Sequence, residues 1–285
     1  MFKIIRKRDL APNITEMRVE APAVAASAKP GQFIIVRTDR FGERIPLTIC
    51  DYDEGEGTVT IVTQSIGIST RKINSLNAGE YFDDFAGPLG NPSDLLELSP
   101  EELKKQKVLF IAGGVGTAPV YPQVKWLKQQ GVEADVIIGA RTKELFTYVS
   151  EMQSVGNVYL CTDDGSEGFH GNVTGLMKDL IDNQGKKYDR VVIIGPMIMM
   201  KFAALTAKGY GIPSVVSLNA LMVDGTGMCG ACRVTVGGET KFTCVDGPEF
   251  DGALVDFDEA MRRQNMYKNN PKTNPETHNC NCYGK

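Results

Sequence analysis

The chain has 285 residues, of which 42% are hydrophobic, so it is long enough to bury the cores of two or three domains. Its formal net charge of −4 gives it no electrostatic reason to bind nucleic acid or anionic lipid. No apolar secretion-signal segment follows the cationic N-terminus. The longest apolar run, 191–200, is well short of the roughly 20 residues of a membrane helix. We therefore expect a soluble, cytoplasmic protein.

The first hundred residues predict an antiparallel β-barrel, assigned to residues 1–98. Short segments rich in β-branched and aromatic residues alternate with turn signals, a pattern typical of such barrels. The predicted strands are Ile14–Glu20, Phe33–Arg37, 59–63 and 81–85. Residues 90–106 contain two prolines followed by charged residues, which predicts a linker or short helix leading out of the barrel.

A different pattern begins at residue 107, where apolar strands alternate with helices. The predicted strands are 108–112, 134–139, 158–161, Arg190–Ile194 and 214–218, and the predicted helices are 118–130, 173–183 and 198–208. This alternation indicates βαβ units around a parallel sheet, assigned to residues 99–220. Residues 221–285 are predicted to form a small third domain, with a mostly irregular tail after Met266.

Five of the seven cysteines lie in the last fifth of the chain, which favours a metal or redox site over a disulfide framework. Cys229, Cys232 and the more distant Cys244 match the spacing of a plant-type [2Fe–2S] loop, C-x4-C-x2-C with a later cysteine. Asp224 stands where the first cysteine belongs. Its carboxylate is anionic and can ligate iron, so Asp224 is the predicted fourth ligand. Glycines 225, 227 and 230 would let the loop curl tightly.

Other interpretations of these cysteines stay open. A zinc knuckle needs a second cysteine pair, and Cys280 and Cys282 have the wrong spacing for one. A redox dithiol would be expected in a thioredoxin-like context, which is missing, and plain buried thiols are a third possibility. Within the cluster interpretation, Cys280 or Cys282 is the alternative to Asp224 as the fourth ligand.

Two glycine turns predict a nucleotide site on one edge of the parallel sheet. The first lies between a strand and a helix, where free amides and the positive helix end face a pyrophosphate. It contains Gly113, Gly114, Gly116 and Thr117. Pro119 takes the last position of the usual dinucleotide fingerprint, so the match is incomplete. Gly195 and Pro196 end a later strand on the same carboxyl edge, where ligands of such folds bind.

The barrel half carries two further motifs. Arg44, Pro46, Leu47 and Thr48 combine a cation and a hydroxyl with a stiffened backbone, and Gly67, Ser69 and Thr70 would suit a second pyrophosphate. Taken singly, Arg44 could be a solvated strand charge and Gly67 an ordinary turn residue. Both motifs in a barrel followed by a nucleotide-binding domain form a more specific combination.

These motifs in this order resemble the ferredoxin–NADP reductase superfamily, over essentially residues 1–265. Within it, the chain resembles the electron-transfer subunit of dihydroorotate dehydrogenase B. Asp224 and the Asn- and Cys-rich tail are more similar to the small subunits of NADH-dependent ferredoxin:NADP+ oxidoreductases, also called sulfide dehydrogenase subunits.

The resemblance implies FAD in the barrel. Arg44 would pair with an FAD phosphate, and Thr48 would hydrogen-bond the flavin ring near N5. Gly67, Ser69 and Thr70 would meet the pyrophosphate. The full set of candidate flavin-binding residues is Arg44, Pro46, Leu47, Thr48, Thr63, Gly67, Ser69 and Thr70.

The resemblance also implies NAD(H) on the loop 113–117, with the nicotinamide near Gly195 and Pro196. Many relatives have a cysteine before this Gly-Pro pair, whereas this chain has Ile194, so no catalytic side chain is assigned there. Arg141 could in principle contact a 2′-phosphate, which leaves the preference for NAD(H) over NADP(H) to the resemblance alone.

The expected function is electron transfer between NAD(H), FAD and a [2Fe–2S] cluster, in a subunit of an electron-bifurcating oxidoreductase. The implied partner is a large subunit with FAD and [4Fe–4S] clusters, through which ferredoxin and NADP(H) react. The alternatives are a dihydroorotate dehydrogenase subunit, against which Asp224 argues, a sulfide or polysulfide reductase, and a redox sensor.

Overall fold

The computed structural model describes residues 1–266. The predicted irregular tail, with Cys280 and Cys282, lies outside the described residues, so those two cysteines stay an untested alternative.

The N-terminal part consists of two antiparallel sheets around a common core. Its strands are β1 (Phe2–Ala11), β2 (Ile14–Glu20), β3 (Phe33–Arg37), β4 (Ile45–Thr48), β5 (Asp51–Asp53), β6 (Thr58–Gln64), β7 (Tyr81–Phe82) and β8 (Asp84–Leu89). One sheet has the order β5-β6-β2-β1-β7 and the other the order β4-β3-β8. The side chains of β2 alternate between the two faces of the sheet. Met17 and Val19 lie in the core, whereas Glu16 and Arg18 do not. Pro46 is accommodated because β4 is an edge strand.

Short helical segments complete this part and lead out of it. They are α1 (Pro22–Ala25), α2 (Ile68–Ser75), a 3-10 turn (Asp94–Glu97) and α3 (Pro100–Leu103). The hydroxyl of Thr70 accepts hydrogen bonds from the backbone N–H groups of Ile66 and Gly67, which fixes the start of α2. Ser99 and Glu102 form a reciprocal capping box at α3.

The second part is a β-sheet with helices packed on both of its faces. Its elements are β9 (Val108–Gly113), α4 (Thr117–Gln129), β10 (Asp135–Ala140), α5 (Val149–Gln153), β11 (Asn157–Thr162), β12 (Phe169–His170), α6 (Val173–Asp182), β13 (Arg190–Ile194), α7 (Met197–Gly209) and β14 (Ser214–Ser217). These strands pair in parallel in the order β12-β11-β10-β9-β13-β14. Ile194 lies opposite Ala112 in the pairing of β13 with β9, so the turns that follow these two strands emerge side by side.

The C-terminal part consists of β15 (Arg233–Val236), β16 (Glu239–Phe242), β17 (Glu249–Asp251) and α8 (Phe257–Gln264). β15 and β16 form a hairpin. β17 pairs antiparallel with β14 and so becomes the seventh strand of the α/β sheet. Phe250 of β17 packs in the same core as Val216 of β14. The last two predicted domains thus share a sheet, and the boundaries at 98/99 and 220/221 stay a prediction.

The arrangement confirms the predicted fold class of an antiparallel barrel, a parallel α/β domain and a small C-terminal domain. Among residues 1–266, no helix is both long enough and apolar enough to cross a membrane.

Candidate functional site

The cysteine-rich loop after β14 is seated directly on the barrel. Phe33 and Ile35 of β3 share one buried apolar cluster with Met222, Cys232 and Cys244. Gly225 has φ +86°, and a Cβ there would lie 2.4 Å from the Cδ1 atom of Ile35. Only glycine therefore permits this close approach, which confirms the predicted tight curl.

The four predicted ligands form two neighbouring pairs. The Sγ atoms of Cys232 and Cys244 are buried and lie 3.3 Å apart. Cys229 is exposed, and its sulfur accepts a hydrogen bond from the backbone of Asp224. Within residues 1–266, no three Cys, His, Asp or Glu side chains already converge as metal ligands. Two pairs match a two-iron cluster, in which each iron takes two protein ligands.

Backbone amides favour the anionic forms of Asp224 and Cys229. The N–H groups of Ala231 and Asp224 hold the pKa of Cys229 below its usual value. The carboxylate of Asp224 accepts hydrogen bonds from the N–H groups of Thr226 at 2.9 Å and Met228 at 3.0 Å, and these lower its pKa. Burial instead raises the pKa of Cys244. Anionic ligands and amides aimed at sulfur are what a [2Fe–2S] cluster requires, so these residues fit the predicted group.

Arg44 contacts the cysteine-rich loop. Its Nε donates to the carbonyl of Val223 at 2.9 Å and its Nη2 to that of Asp224 at 3.2 Å. Its Nη1 lies 3.9 Å from a carboxylate oxygen of Asp84. The predicted pairing of Arg44 with an FAD phosphate stays a prediction, and the structure adds a link between the barrel motif and the first predicted iron ligand.

The N-terminus of α2 offers room for a phosphate group. A Cβ on Gly67 would meet no atom within 4 Å, so no packing against the described residues explains this glycine. Unbonded N–H groups in the first helical turn favour an anion there. The hydroxyl of Ser69 donates to the carboxylate of Glu43, and that of Thr70 is engaged in capping. The backbone thus fits the predicted pyrophosphate site better than the two hydroxyls do.

The remaining predicted flavin-binding residues lie on two strands. Pro46, Leu47 and Thr48 are half-buried on β4. Thr63 is buried on β6 opposite Thr15 of β2. Their contacts with FAD stay predictions.

The two glycine turns of the α/β part meet in space. A Cβ on Gly116 would lie 2.3 Å from the carbonyl oxygen of Ile194, and one on Gly195 would lie 3.2 Å from the backbone N of Gly113. The side chain of Met199 packs against both turns, with its Sδ 2.4 Å from where a Cβ on Gly113 would stand. The two glycine turns therefore lie side by side and form one surface at the carboxyl edge of β9 and β13, with Gly113 and Thr117 buried beneath it.

This surface fits a pyrophosphate at one point in particular. Gly114 has φ +56°, and a Cβ on it would meet no atom within 4 Å, so its backbone stands open to a ligand. Thr117 is buried, and its hydroxyl donates to the carbonyl of Gly114 at 3.0 Å. It therefore stabilises the loop from inside, and direct contact with a nucleotide stays a prediction. Ile194, which precedes the Gly-Pro pair, is buried.

Sequence reasoning missed three residues next to the sites. Met199 fills the space between the glycine turns, Glu43 bonds Ser69, and Arg263 of α8 donates to the carbonyl of Ala231. Met199 lies one helical turn after the Gly-Pro pair, which was the only local signal for it. Nothing in the sequence pairs Arg263 with Ala231.

Comparison with known proteins agrees with this arrangement. Residues 219–256 match the family described as the iron-sulfur cluster binding domain of dihydroorotate dehydrogenase B. The chain is 43% identical to a dihydroorotate dehydrogenase B (NAD(+)) electron transfer subunit homolog of Thermotoga maritima, over 96% of this chain and 94% of that protein. It is 32% identical to the electron transfer subunit of Geobacillus thermodenitrificans, over 88% and 96%.

A solved structure of an NADH-dependent reduced ferredoxin-NADP oxidoreductase, described as giving insight into flavin-based electron bifurcation, is also similar. It superimposes with a TM-score of 0.87 at 42% identity, covering 94% of each chain. Identity of this extent, over more than nine-tenths of both chains, goes beyond a shared fold. The chain therefore belongs to the family of dihydroorotate dehydrogenase B electron-transfer subunits and their homologues.

Proposed function

We propose that this chain is the electron-transfer subunit of an electron-bifurcating NADH-dependent ferredoxin:NADP+ oxidoreductase. It uses NAD(H), FAD and a [2Fe–2S] cluster, and it works with a larger redox subunit. That partner carries FAD and [4Fe–4S] clusters and reacts with ferredoxin and NADP(H). The five cysteines in the described part of the chain are free thiols, which suits a reducing cytoplasm.

The chain's own residues bind and orient the cofactors. The start of α2 would hold the FAD pyrophosphate, and the open backbone at Gly114 would hold that of NAD(H). Buried Ile194 packs in the core beneath the Gly195 turn and would leave that turn's backbone to meet the nicotinamide. When bound, FAD can accept a hydride from NADH and release its electrons singly to a one-electron cluster.

The observation that carries the proposal is Asp224. It stands at the first ligand position, and its backbone hydrogen-bonds the sulfur of Cys229. Amides of its own loop stabilise its carboxylate, so it is ready to serve as an anionic ligand. By the resemblance given above, an aspartate at this position points to the bifurcating oxidoreductase subunits, because a cysteine is expected there in dihydroorotate dehydrogenase subunits.

A second candidate is the electron-transfer subunit of dihydroorotate dehydrogenase B, which passes electrons from a catalytic partner to NAD+. The names of several relatives favour it. The two functions share all three cofactor sites and differ in the partner. Identifying the co-purified partner therefore separates them.

The test is purification of the native complex, followed by counts of flavin, iron and acid-labile sulfide on the separated small subunit. We expect one FAD and one [2Fe–2S] cluster per chain, and diaphorase activity that is faster with NADH than with NADPH. The complex is expected to reduce ferredoxin with NADPH only when NAD+ is present. A partner that oxidises dihydroorotate would favour the second candidate, and a chain without flavin would refute both.

A further inference from the structure

Arg263 lies against the cluster loop from the side of the last helix. Its Nη2 donates to the carbonyl of Ala231 at 3.0 Å. Ala231 lies between two predicted iron ligands, Cys229 and Cys232, and its carbonyl belongs to the peptide unit that joins it to Cys232. One peptide unit thus connects the guanidinium to a predicted iron ligand.

The helix that carries Arg263 is held in place. Asp256 caps its start by accepting from the N–H of Glu259 at 2.9 Å, and Glu259 accepts from the N–H of Thr235 in β15 at 3.0 Å. β15 begins directly after Cys232. The guanidinium is therefore positioned by a rigid helix on the same hairpin that follows the cluster loop.

The charge of Arg263 has no carboxylate partner among residues 1–266. Its Nε is buried and makes no hydrogen bond with any described residue. By contrast, the half-buried Arg8 and Arg190 both pair with carboxylates, at 2.8 and 2.7 Å. Burying a cation without an anion is costly, so a neighbouring negative charge is expected.

We propose that this negative charge is the cluster itself, and that Arg263 is a positioning residue that holds the loop and raises the cluster's reduction potential. Four anionic ligands outweigh the positive charge of a [2Fe–2S] core, and one added electron increases the net negative charge further. A fixed, partly desolvated cation stabilises that reduced state most. The inference rests on the proposed function, because it presupposes the cluster.

Two exposed arginines provide matched controls. Arg262 precedes Arg263 in the same helical turn, and Arg233 donates to the carbonyl of Gly230 at 3.3 Å. Arg233 carries its charge on the loop itself and Arg262 is next to Arg263 in sequence, but both are exposed to solvent, where water and salt screen them. Comparison with them separates a specific effect of Arg263 from the loss of any positive charge.

The experiment measures the cluster's midpoint potential by a reductive titration followed by electron paramagnetic resonance, in the full-length protein with its cofactors. We expect Arg263→Gln to lower the potential several times more than Arg262→Gln or Arg233→Gln. The effect of Arg263→Gln should persist at high salt, whereas the effects of the controls should disappear. Equal shifts in all three variants, or an unchanged potential in Arg263→Gln, would overturn the potential-setting role.

Arg263→Lys keeps the charge but loses the planar fork that reaches Ala231. We expect it to keep most of the wild-type potential while losing iron to a chelator faster than Arg262→Lys does. Equal rates of iron loss would refute the holding role, even if Arg263→Gln could not be obtained with its cluster. A wild-type protein without any [2Fe–2S] cluster would instead overturn the proposed function itself.

Discussion

Asp224 is both a hydrogen-bond acceptor within its own loop and a predicted iron ligand, and single substitutions can separate these two roles. Its carboxylate accepts hydrogen bonds from the N–H groups of Thr226 and Met228, as the acceptor in an ordinary turn would. It also stands at the first ligand position beside Cys229. An asparagine would keep the acceptor oxygen and lose the charge, whereas a cysteine would keep the negative charge and lose the hard oxygen.

We expect Asp224→Cys to keep a cluster with altered electron paramagnetic resonance g values and a lower midpoint potential. The shift should be on the order of 100 mV, by analogy with the higher potentials of Rieske centres, where histidine replaces thiolate. Asp224→Asn should fold but hold the cluster poorly. If Asp224→Cys leaves both the spectrum and the potential unchanged, Asp224 is not a ligand.

Glu249 is a buried acid at the meeting point of the three parts. Its Oε1 accepts from the side chain of Gln123 at 2.6 Å, and its Oε2 is buried with no hydrogen-bond partner among the described residues. Burial raises the pKa of Glu249 to about 7. The hydrogen bond with Gln123 opposes this rise, Asp94 contributes to it, and Arg190 also opposes it. The folded state therefore binds this proton more tightly than the unfolded chain does.

The stabilisation from Glu249 should be fully present below its unfolded pKa of about 4.5 and lost as the pH rises through about 7. We expect Glu249→Gln, which mimics the protonated acid, to reduce the fall in free energy of unfolding between pH 5 and pH 8 by at most about 3 kcal/mol. Denaturant titrations at both pH values measure this difference. The exposed Glu54→Gln should behave as wild type, and an unchanged pH dependence in Glu249→Gln would contradict the buried-acid interpretation.

Among the elements, the predicted strands and helices of the α/β part agree with the observed ones within one or two residues. A short apolar, β-branched run that ends at a glycine predicts a buried strand, as β13 and the following Gly195 show. β1 was missed because five charged residues obscure its alternation. The hairpin β15–β16 was also missed, although Gly237 and Gly238, both with positive φ, are a strong hairpin signal.

The site was predictable only where it is local in sequence. The cysteine spacing and the glycine turns are short motifs. The match of residues 219–256 to an iron-sulfur cluster binding domain confirms the cluster that the cysteine spacing predicts, and its individual ligands stay predictions. The contact of Arg44 with Asp224 joins residues 180 positions apart, and that of Arg263 with Ala231 joins two elements of the last domain. Such contacts depend on how the parts pack, which no local pattern encodes.

The contact between the two glycine turns can be tested at Gly116. A Cβ there would overlap the carbonyl of Ile194, so Gly116→Ala should push the turns apart at a cost of about 1–3 kcal/mol. We expect the KM for NADH in the diaphorase reaction to rise about tenfold, while FAD and iron contents stay at wild-type levels. Gly209→Ala, where a Cβ meets no atom within 4 Å, is the control. A wild-type KM in Gly116→Ala would refute a nucleotide site formed by these turns.

At the scale of the whole molecule, the cluster loop presents an apolar surface to solvent. Leu221, Val223 and Met228 are 42%, 51% and 87% exposed, although two of them are next to predicted iron ligands. Neighbouring exposed apolar side chains around a redox centre are typical of a protein interface. Electrons leaving the cluster must reach the partner subunit, so we expect the larger subunit to dock on this surface.

Met228→Glu should therefore weaken assembly with the larger subunit at least tenfold, because it places a charge in the centre of the expected interface. Only the backbone N–H of Met228 contacts Asp224, so the cluster spectrum and NADH-driven diaphorase activity of the isolated subunit should not change. Ile5→Glu, an equally drastic change at an exposed apolar position on β1, should leave assembly intact. Titration of the two separated subunits by analytical ultracentrifugation measures the affinity. Normal assembly of Met228→Glu together with impaired assembly of Ile5→Glu would place the partner on the barrel, and the electrons would then have to leave the chain by another route.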